Sequence, residues 1–207
     1  MVNNVLTTAQ ASDANLVCSI WQYLVTKVKV PYDAAATTAG LNAGYALNKN
    51  GTYAIDAMGL GVLDAEIDQD DLYKRVPVVA YTLDSHTAKS PESTGCGDGA
   101  NYEYRTVKLT CVPTITLTAD GIQSPSRFAY LTLKTVVWNA IGRSFIMPIV
   151  DSTQAKVNGL YPNIGYAEIH NATPPHRAPF KDWLVIDRRD FDVSFVLRIG
   201  VATADGL

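Results

Sequence analysis

The sequence has few of the residues from which catalytic and metal sites are usually built. Three cysteines and three histidines occur among its 207 residues, and neither set has the spacing of a zinc site. The Gly-x-Ser-x-Gly turn of α/β-hydrolases is absent. The glycine-rich run at 95–99 precedes a predicted strand, whereas a phosphate-binding loop opens a helix. These absences predict a protein that is not an enzyme and needs no metal or cofactor.

Charge is also scarce. The chain carries 17 basic and 20 acidic residues, a net charge of −3, and charged residues make up 18% of it. A nucleic-acid binder needs a concentrated cationic surface to neutralise phosphates. The composition therefore argues against specific nucleic-acid binding. The neutral surface that remains, rich in Ala, Thr, Asn and Gly, suits burial against other subunits.

Long apolar runs are missing as well. No stretch approaches the roughly 20 apolar residues that span a membrane, and the first residues lack the basic segment and apolar run of a secretory leader. We therefore expect a protein that is neither membrane-bound nor secreted. Cys18 in a predicted helix, Cys96 in a loop and Cys111 in a strand make an odd number, which predicts free thiols in a reducing compartment.

Two patterns resemble metal sites weakly. The acidic run at 64–71 lacks the sixth-position Gly and the closing Glu of an EF-hand, so it predicts a solvated acidic face. His170 and His176 flank a proline-rich turn without a third ligand spaced with them. We expect exposed turn histidines there, not a metal pair.

The most regular pattern lies near the end of the chain. Between 191 and 201 every odd position is apolar, and most even positions are polar. A period of two over this length predicts one long strand with one face on the core. The predicted core-facing residues are Phe191, Val193, Phe195, Leu197, Ile199 and Val201.

Other elements follow from periodicity and from residues that begin or end them. Ser12 and Asp13 are candidate caps of a helix over 13–28, which Pro31 is predicted to end. Ser124-Pro125 starts a second helix, with Gly142 as its C′ residue. Further strands are predicted at 76–83, 102–112, 114–118, 145–150 and 164–170, with the first two antiparallel; Asn50-Gly51 predicts a hairpin turn, and 173–179 an irregular segment.

Together these elements predict an α+β fold: a mainly antiparallel sheet with one or two helices packed on one face, plus extended loops and arms. The length suits a single domain over 1–207. Its irregular parts are predicted to be a loose N-terminal arm at 1–11, an extended insertion at 31–75 and a long loop at 84–101.

The chain thus has an N-terminal helix, a Pro-Val-Val strand at 77–79, a long loop, a Tyr/Thr-rich strand and a second helix. A last hairpin carries Arg-Arg-Asp-Phe-Asp-Val-Ser-Phe at 188–195. This order resembles the tail-terminator and tail-completion proteins of long-tailed bacteriophages. The resemblance covers about residues 12–30 and 76–201. The insertion at 31–75 and the loop at 84–101 depart from the smaller members of that family.

The resemblance implies a structural virion protein, assembled in the host cytoplasm, that forms a ring at the head–tail junction or the tail end. Such rings are usually homo-hexameric. The implied partners are copies of the chain itself, the tail tube, and neck or connector proteins. Genomic DNA could pass through the lumen of such a ring without being bound specifically.

Candidate subunit contacts lie in the long loop, in the strand after it and around the proline-rich turn. They are Cys96, Asp98, Tyr102, Tyr104, Pro175, His176, Arg177, Arg188 and Arg189. The two consecutive arginines also lie beside Asp187 and Asp190, which fits a self-neutralised surface cluster better.

Two other classes stay open. One is a β-rich ligand- or carbohydrate-binding virion or surface module, in which Tyr102, Tyr104, Tyr161 and Tyr166 would line a groove. The other is an enzyme whose site the sequence patterns do not reveal.

Overall fold

The computed structural model of the chain describes residues 6–38, 44–47, 53–56, 60–64, 78–83, 88–89, 100–112, 115–116, 126–144, 146–172, 176–177, 185–186 and 189–200. Within these residues the helices are α1 (Asp13–Leu24), α2 (Val30–Thr38) and α3 (Ser126–Ile141), and a π-helical turn (Val25–Lys29) joins α1 to α2. The strands are β1 (Gly44–Leu47), β2 (Tyr53–Asp56), β3 (Gly61–Asp64), β4 (Val78–Leu83), β5 (Ala88–Lys89), β6 (Ala100–Val112), β7 (Ile115–Thr116), β8 (Ile146–Val150), β9 (Asn163–Ala172), β10 (His176–Arg177), β11 (Val185–Ile186) and β12 (Arg189–Gly200).

The main sheet is mixed and mostly antiparallel. Its strand order is β3-β4-β6-β12-β9-β8, and β3 alone in this order runs parallel to its neighbour. The predicted final strand, β12, lies inside the sheet and pairs with β6 from Arg189↔Cys111 to Gly200↔Ala100. β4 and β6 are antiparallel, as predicted. The α+β fold with helices and a mainly antiparallel sheet is therefore confirmed.

The alternation that predicted β12 is visible in its burial. Val193, Phe195 and Leu197 are 0%, 4% and 0% exposed, and all three belong to the main hydrophobic core. They face the core because successive strand residues point to opposite sides of a sheet. The side chains of Phe191 and Ile199, and all of Val201, lie outside the residues whose side chains are described.

The sheet curls around α1. This helix contacts β3 and β8, the strands at the two ends of the sheet order. Its inner side is apolar, with Leu16, Ile20 and Leu24 at most 2% exposed. The strands between the two ends reach it too: the Tyr81 hydroxyl of β4 donates to the Val17 carbonyl at 3.2 Å. The helix therefore fills the inside of the curl, where its apolar stripe is covered from several directions.

α3 packs on the helical layer. It contacts the π-helical turn and α2, and the buried Tyr23 hydroxyl of α1 donates to the Ala140 carbonyl at 2.5 Å. Leu133 and Val137, one turn apart, are buried in the same core as α1 and β12. The predicted second helix is confirmed within Ser126–Ile141; its predicted start at Ser124-Pro125 lies outside the described residues.

The predicted end of the first helix is wrong. The helical path continues through Pro31 to Thr38, although a proline in a helix lacks an N–H and crowds the carbonyl four residues earlier. The turn before Pro31 is widened: Val25–Lys29 is π-helical, and the Val30 N–H donates to the Val25 carbonyl, five residues back. Such a bulge shifts the hydrogen-bond register, so the chain passes the proline without ending the helix.

The predicted arms and loops are more structured than expected. In the N-terminal arm, Leu6 and Ala11 are buried in the core. The insertion predicted at 31–75 begins with helical residues 31–38, and β3 within it joins the main sheet. Within the predicted loop at 84–101, β5 pairs with β6, which itself begins at Ala100. The described parts of these segments are therefore less irregular than predicted, because their residues pair in the sheet or are buried in the core.

Shorter predictions have mixed outcomes. β1 and β2 on either side of Asn50-Gly51 pair antiparallel, while the predicted turn itself lies outside the described residues. In the segment predicted as irregular, β10 pairs with β12 through His176↔Asp190 and Arg177↔Arg189, so these two residues are regular after all. β10 pairs with the same side of β12 as β9 does. The two prolines at 174 and 175 lie between β9 and β10 in the sequence. β7 pairs with β11 in a separate two-stranded sheet.

Gly142 has a different role from the one predicted. It does not adopt the positive φ of a C′ glycine; a Cβ there would lie 2.5 Å from the Trp138 ring. We expect Gly142→Ala to lower the free energy of unfolding by about 1–3 kcal/mol, because overpacking forces side chains to shift. Urea denaturation measures this. In a Trp138→Leu background the same change should cost much less, and an equal cost in both backgrounds would contradict the steric explanation.

Candidate assembly surface

Three polar side chains of α1 hold the segment that follows β8. Ser19 Oγ accepts from the Val150 N–H at 2.9 Å, and Asn15 Oδ1 accepts from the Ser152 N–H at 2.8 Å and from its hydroxyl at 2.7 Å. Gln22 Oε1 accepts from the Tyr161 N–H at 2.7 Å, and its Nε2 donates to the Tyr161 carbonyl at 3.2 Å. Residues 15, 19 and 22 are spaced four and three apart, so they lie on one side of the helix. We call them the polar stripe.

A cation also ties this segment to α1. The Lys156 ammonium lies 5.0 Å from the centroid of the Trp21 ring and 4.6 Å from that of Tyr161. Both distances fall within the roughly 6 Å over which an aromatic face attracts a cation. Lys156 therefore bridges the helix and the base of the segment, next to the two Gln22 hydrogen bonds.

The segment ends in a tight turn, Val157–Leu160, which we call the tip. Val157 and Leu160 exchange backbone hydrogen bonds of 2.8 and 3.1 Å. Asn158 and Gly159 between them have φ of 53° and 81°, the positive values that a type I′ turn requires. Val157 and Leu160 are 67% and 40% exposed. The turn thus exposes the Val157 and Leu160 side chains to solvent, and the contacts with α1 fix the segment that carries them.

A second exposed apolar area lies on the outer side of β8 and β9. Ile146 is opposite Glu168, and Pro148 is opposite Tyr166; we call these four residues the outer β-face. Ile146 is 55% and Tyr166 44% exposed, while the alternate residues Met147 and Ala167 are fully buried. Apolar side chains therefore lie on both faces of these strands. A strand with one face on the core and one in water usually has polar residues on its outer face.

The outer edge of β8 offers few hydrogen-bond donors to a further strand. β8 is the last strand in the order described for this sheet. Its Val150 N–H is taken by Ser19 Oγ, and Pro148 has no N–H to offer. Two donors on this edge are therefore unavailable to a further strand, which disfavours pairing with another chain at the Pro148–Val150 end.

The structure shifts the pKa values of two titratable groups near this surface, Asp151 and Cys18. Hydrogen bonds from the Thr153 hydroxyl and N–H lower the pKa of Asp151, which keeps its carboxylate ionised. Burial raises the pKa of the Cys18 thiol, with the Asp64 charge adding to the increase against an opposite effect of Lys156. A raised thiol pKa disfavours the reactive thiolate.

The predicted contact residues fall into three groups. Cys96, Asp98, Pro175 and Arg188 lie outside the described residues, and Tyr102 and Tyr104 lie on β6, where their side chains are not described. His176, Arg177 and Arg189 come together across the β10–β12 pair. Asn158-Gly159 predicts a turn within 156–162, and the tip confirms it. The exposed apolar side chains of the tip, the outer β-face as a surface and the polar stripe were not predicted.

If the polar stripe positions the tip, removing one side chain should loosen it. We expect Asn15→Ala to cost about 1–2 kcal/mol, because the part-buried Ser152 N–H then lacks its acceptor. Amide hydrogen exchange across 151–162 should accelerate more than exchange in β12. Lys27→Ala, an exposed change in the same helical path, is the control. Equal exchange in the two variants would show that the stripe does not position the segment.

Among the described residues no group of three or more His, Cys, Asp or Glu side chains could hold a metal ion, and no described helix has the length and hydropathy to cross a membrane. A comparison with protein-family models finds no match, and a comparison with curated proteins finds no relative.

Proposed function

We propose that this chain is a structural, non-enzymatic subunit that assembles with copies of itself. The observation that carries this proposal is the exposure of Ile146, Val157 and Tyr166, at 55%, 67% and 44%, on anchored elements. A monomer has no need to support apolar side chains in water with so many hydrogen bonds. Exposed apolar side chains held on a rigid scaffold in two separate areas fit contacts with neighbouring subunits on two sides.

The anchoring supports the same conclusion. Ordering a mobile loop on binding reduces affinity, whereas a preformed support avoids that entropy cost. The polar stripe, the Lys156 bridge and the type I′ turn all restrict the tip before any partner arrives. The tip therefore has the properties of a preorganised contact.

For the kind of assembly, the order of elements supports a ring of the tail-terminator or tail-completion type at the tail end or head–tail junction of a long-tailed bacteriophage. A ring subunit needs side-chain contacts on two sides and must not polymerise by strand pairing. The two missing donors on the edge of β8 are consistent with that need. In this proposal the further partners are the tail tube and neck proteins.

Native mass spectrometry and electron microscopy of the purified chain test this function. We expect a closed, symmetric oligomer whose subunit number does not grow with concentration. A chain that stays monomeric at all concentrations and on tail tubes would overturn the proposal. In that case a β-rich ligand-binding module, with the exposed Tyr166 in its groove, becomes the better explanation.

A further inference from the structure

Two exposed apolar areas on this chain differ in shape. The tip projects, because a two-residue turn separates Val157 from Leu160 at the end of a hairpin. The outer β-face is flat, because Ile146 and Tyr166 stand on two paired strands of the sheet. A projecting apolar group and a flat apolar surface can bury each other more completely than two projecting groups can.

The two areas cannot meet within one chain. The tip follows the Val150 end of β8, and Ile146 lies at the opposite end, about 13 Å away at roughly 3.3 Å per residue. The polar stripe and Lys156 hold the base of the tip against α1, on the core side of β8. The outer β-face is on the other side of that strand. Any contact between them must therefore join two molecules.

Charge distinguishes the possible pairings. Lys156, next to the tip and exposed, is the one charged residue between 154 and 160. Within the outer β-face the one charged residue is Glu168, which is exposed. A contact between two tips would bring two lysines close together, and a contact between two outer β-faces would bring two glutamates close together. Tip against face brings opposite charges together, and complementary charges select partners and fix their register.

We propose that the tip of one subunit docks on the outer β-face of the next, in a head-to-tail contact between copies of this chain. The inference rests on the proposed self-assembly and specifies its geometry. A contact between two different surfaces is heterologous, and it repeats around a closed ring when the rotation between subunits closes. Each subunit then gives a tip to one neighbour and a face to the other.

Two single variants test this geometry. Val157→Asp places a charge on the tip, and Ile146→Asp places one on the outer β-face; both sites are exposed, so the fold should tolerate them. We expect each variant alone to be monomeric in native mass spectrometry. Asn139→Asp on α3, also exposed, adds the same charge elsewhere and should assemble like wild type. Circular dichroism and thermal unfolding confirm that all three are folded.

The mixture of the two variants gives the decisive result. The Val157→Asp chain keeps an intact face, and the Ile146→Asp chain keeps an intact tip, so one good contact can form between them. We expect a two-subunit species that contains one copy of each and does not grow further. Contacts between like surfaces would instead leave one variant able to pair with itself.

The outcomes separate this inference from the function on which it rests. If wild type forms a closed oligomer and either variant still assembles fully, or the mixture stays monomeric, the head-to-tail contact is wrong while self-assembly stands. If wild type is monomeric under every condition, both fail. A one-to-one pair from the mixture, with monomeric single variants, supports the inference.

Discussion

Val193→Asp should leave the chain unfolded at neutral pH. Val193 is 0% exposed and lies opposite Val107, also 0% exposed, in the middle of the β6–β12 pair. The buried carboxyl must stay protonated, and holding it neutral at pH 7 against an ordinary pKa of about 3.9 costs about 4 kcal/mol. The lost apolar contacts add to this. A domain stabilised by about 5–15 kcal/mol cannot absorb much more.

The pH dependence of this variant identifies the cause. Burial raises the folded-state pKa of the introduced carboxyl above its unfolded value, so the penalty is absent below about pH 4 and grows as the pH rises. Val193→Ala is the control, with a loss of about 2 kcal/mol that does not depend on that carboxyl. Equal urea midpoints of the two variants at pH 7 would show that position 193 is not in a dry core.

Phe195→Asp should be milder, although Phe195 is also buried. Its cross-strand neighbour is Arg105, whose side chain is 12% exposed and contacts Asp13 at 3.3 Å. A guanidinium on the same face can partly compensate a new carboxylate. We expect Phe195→Asp to retain more structure than Val193→Asp at pH 7 by circular dichroism. The reverse order would mean that Arg105 does not reach position 195.

The second large effect is expected at Tyr81, one of the largest fully buried side chains. Tyr81→Ala should lower the free energy of unfolding by about 3–5 kcal/mol, as removal of a buried aromatic ring leaves a cavity. The ring lies in the core between β4 and α1, where its hydroxyl donates to the Val17 carbonyl. Tyr81→Phe keeps the ring and should cost only about 1 kcal/mol. Urea denaturation of both variants separates packing from hydrogen bonding, and similar losses would contradict this division.

Tyr81 also predicts an alkaline effect. Burial, with a smaller contribution from the Asp64 charge, raises the pKa of Tyr81, and burial raises the pKa of Tyr23. The folded protein keeps these protons after the unfolded chain loses them near pH 10, so stability should fall as the pH rises above about 10. Tyr81→Phe should flatten that decline without abolishing it, because Tyr23 remains. A decline as steep as that of wild type would exclude Tyr81 as its source.

Elements with a local signature could be predicted from the sequence. β12 has an apolar residue at every odd position, and its core-facing residues Val193, Phe195 and Leu197 are buried as expected. α1 begins at its predicted cap, where Ser12 Oγ accepts from the Asn15 N–H. These signals concern neighbouring residues in the chain, so no tertiary information was needed to interpret them.

Features that depend on distant residues could not be predicted. Pro31 alone predicts the end of a helix, and only the π-helical turn before it explains why the path continues. Asn15, Ser19 and Gln22 look like ordinary polar helix residues until residues 150–161 are placed beside them. Val157 and Leu160 have side chains typical of cores, and sequence does not reveal that they are exposed. The candidate surface was missed for this reason.

The position of α1 inside the curl has a consequence for synthesis. Its partners in the chain lie far away in sequence: Gln22 contacts Tyr161, 139 residues later, and Ser19 contacts Val150, 131 residues later. At about 5–20 residues per second, the ribosome releases these partners roughly ten seconds after the helix. During that interval Leu16, Ile20 and Leu24, all buried in the finished protein, have no sheet to cover them. Contacts this distant in sequence predict slow closure of the sheet around the helix, with the apolar side of α1 exposed until β8 and β9 reach it.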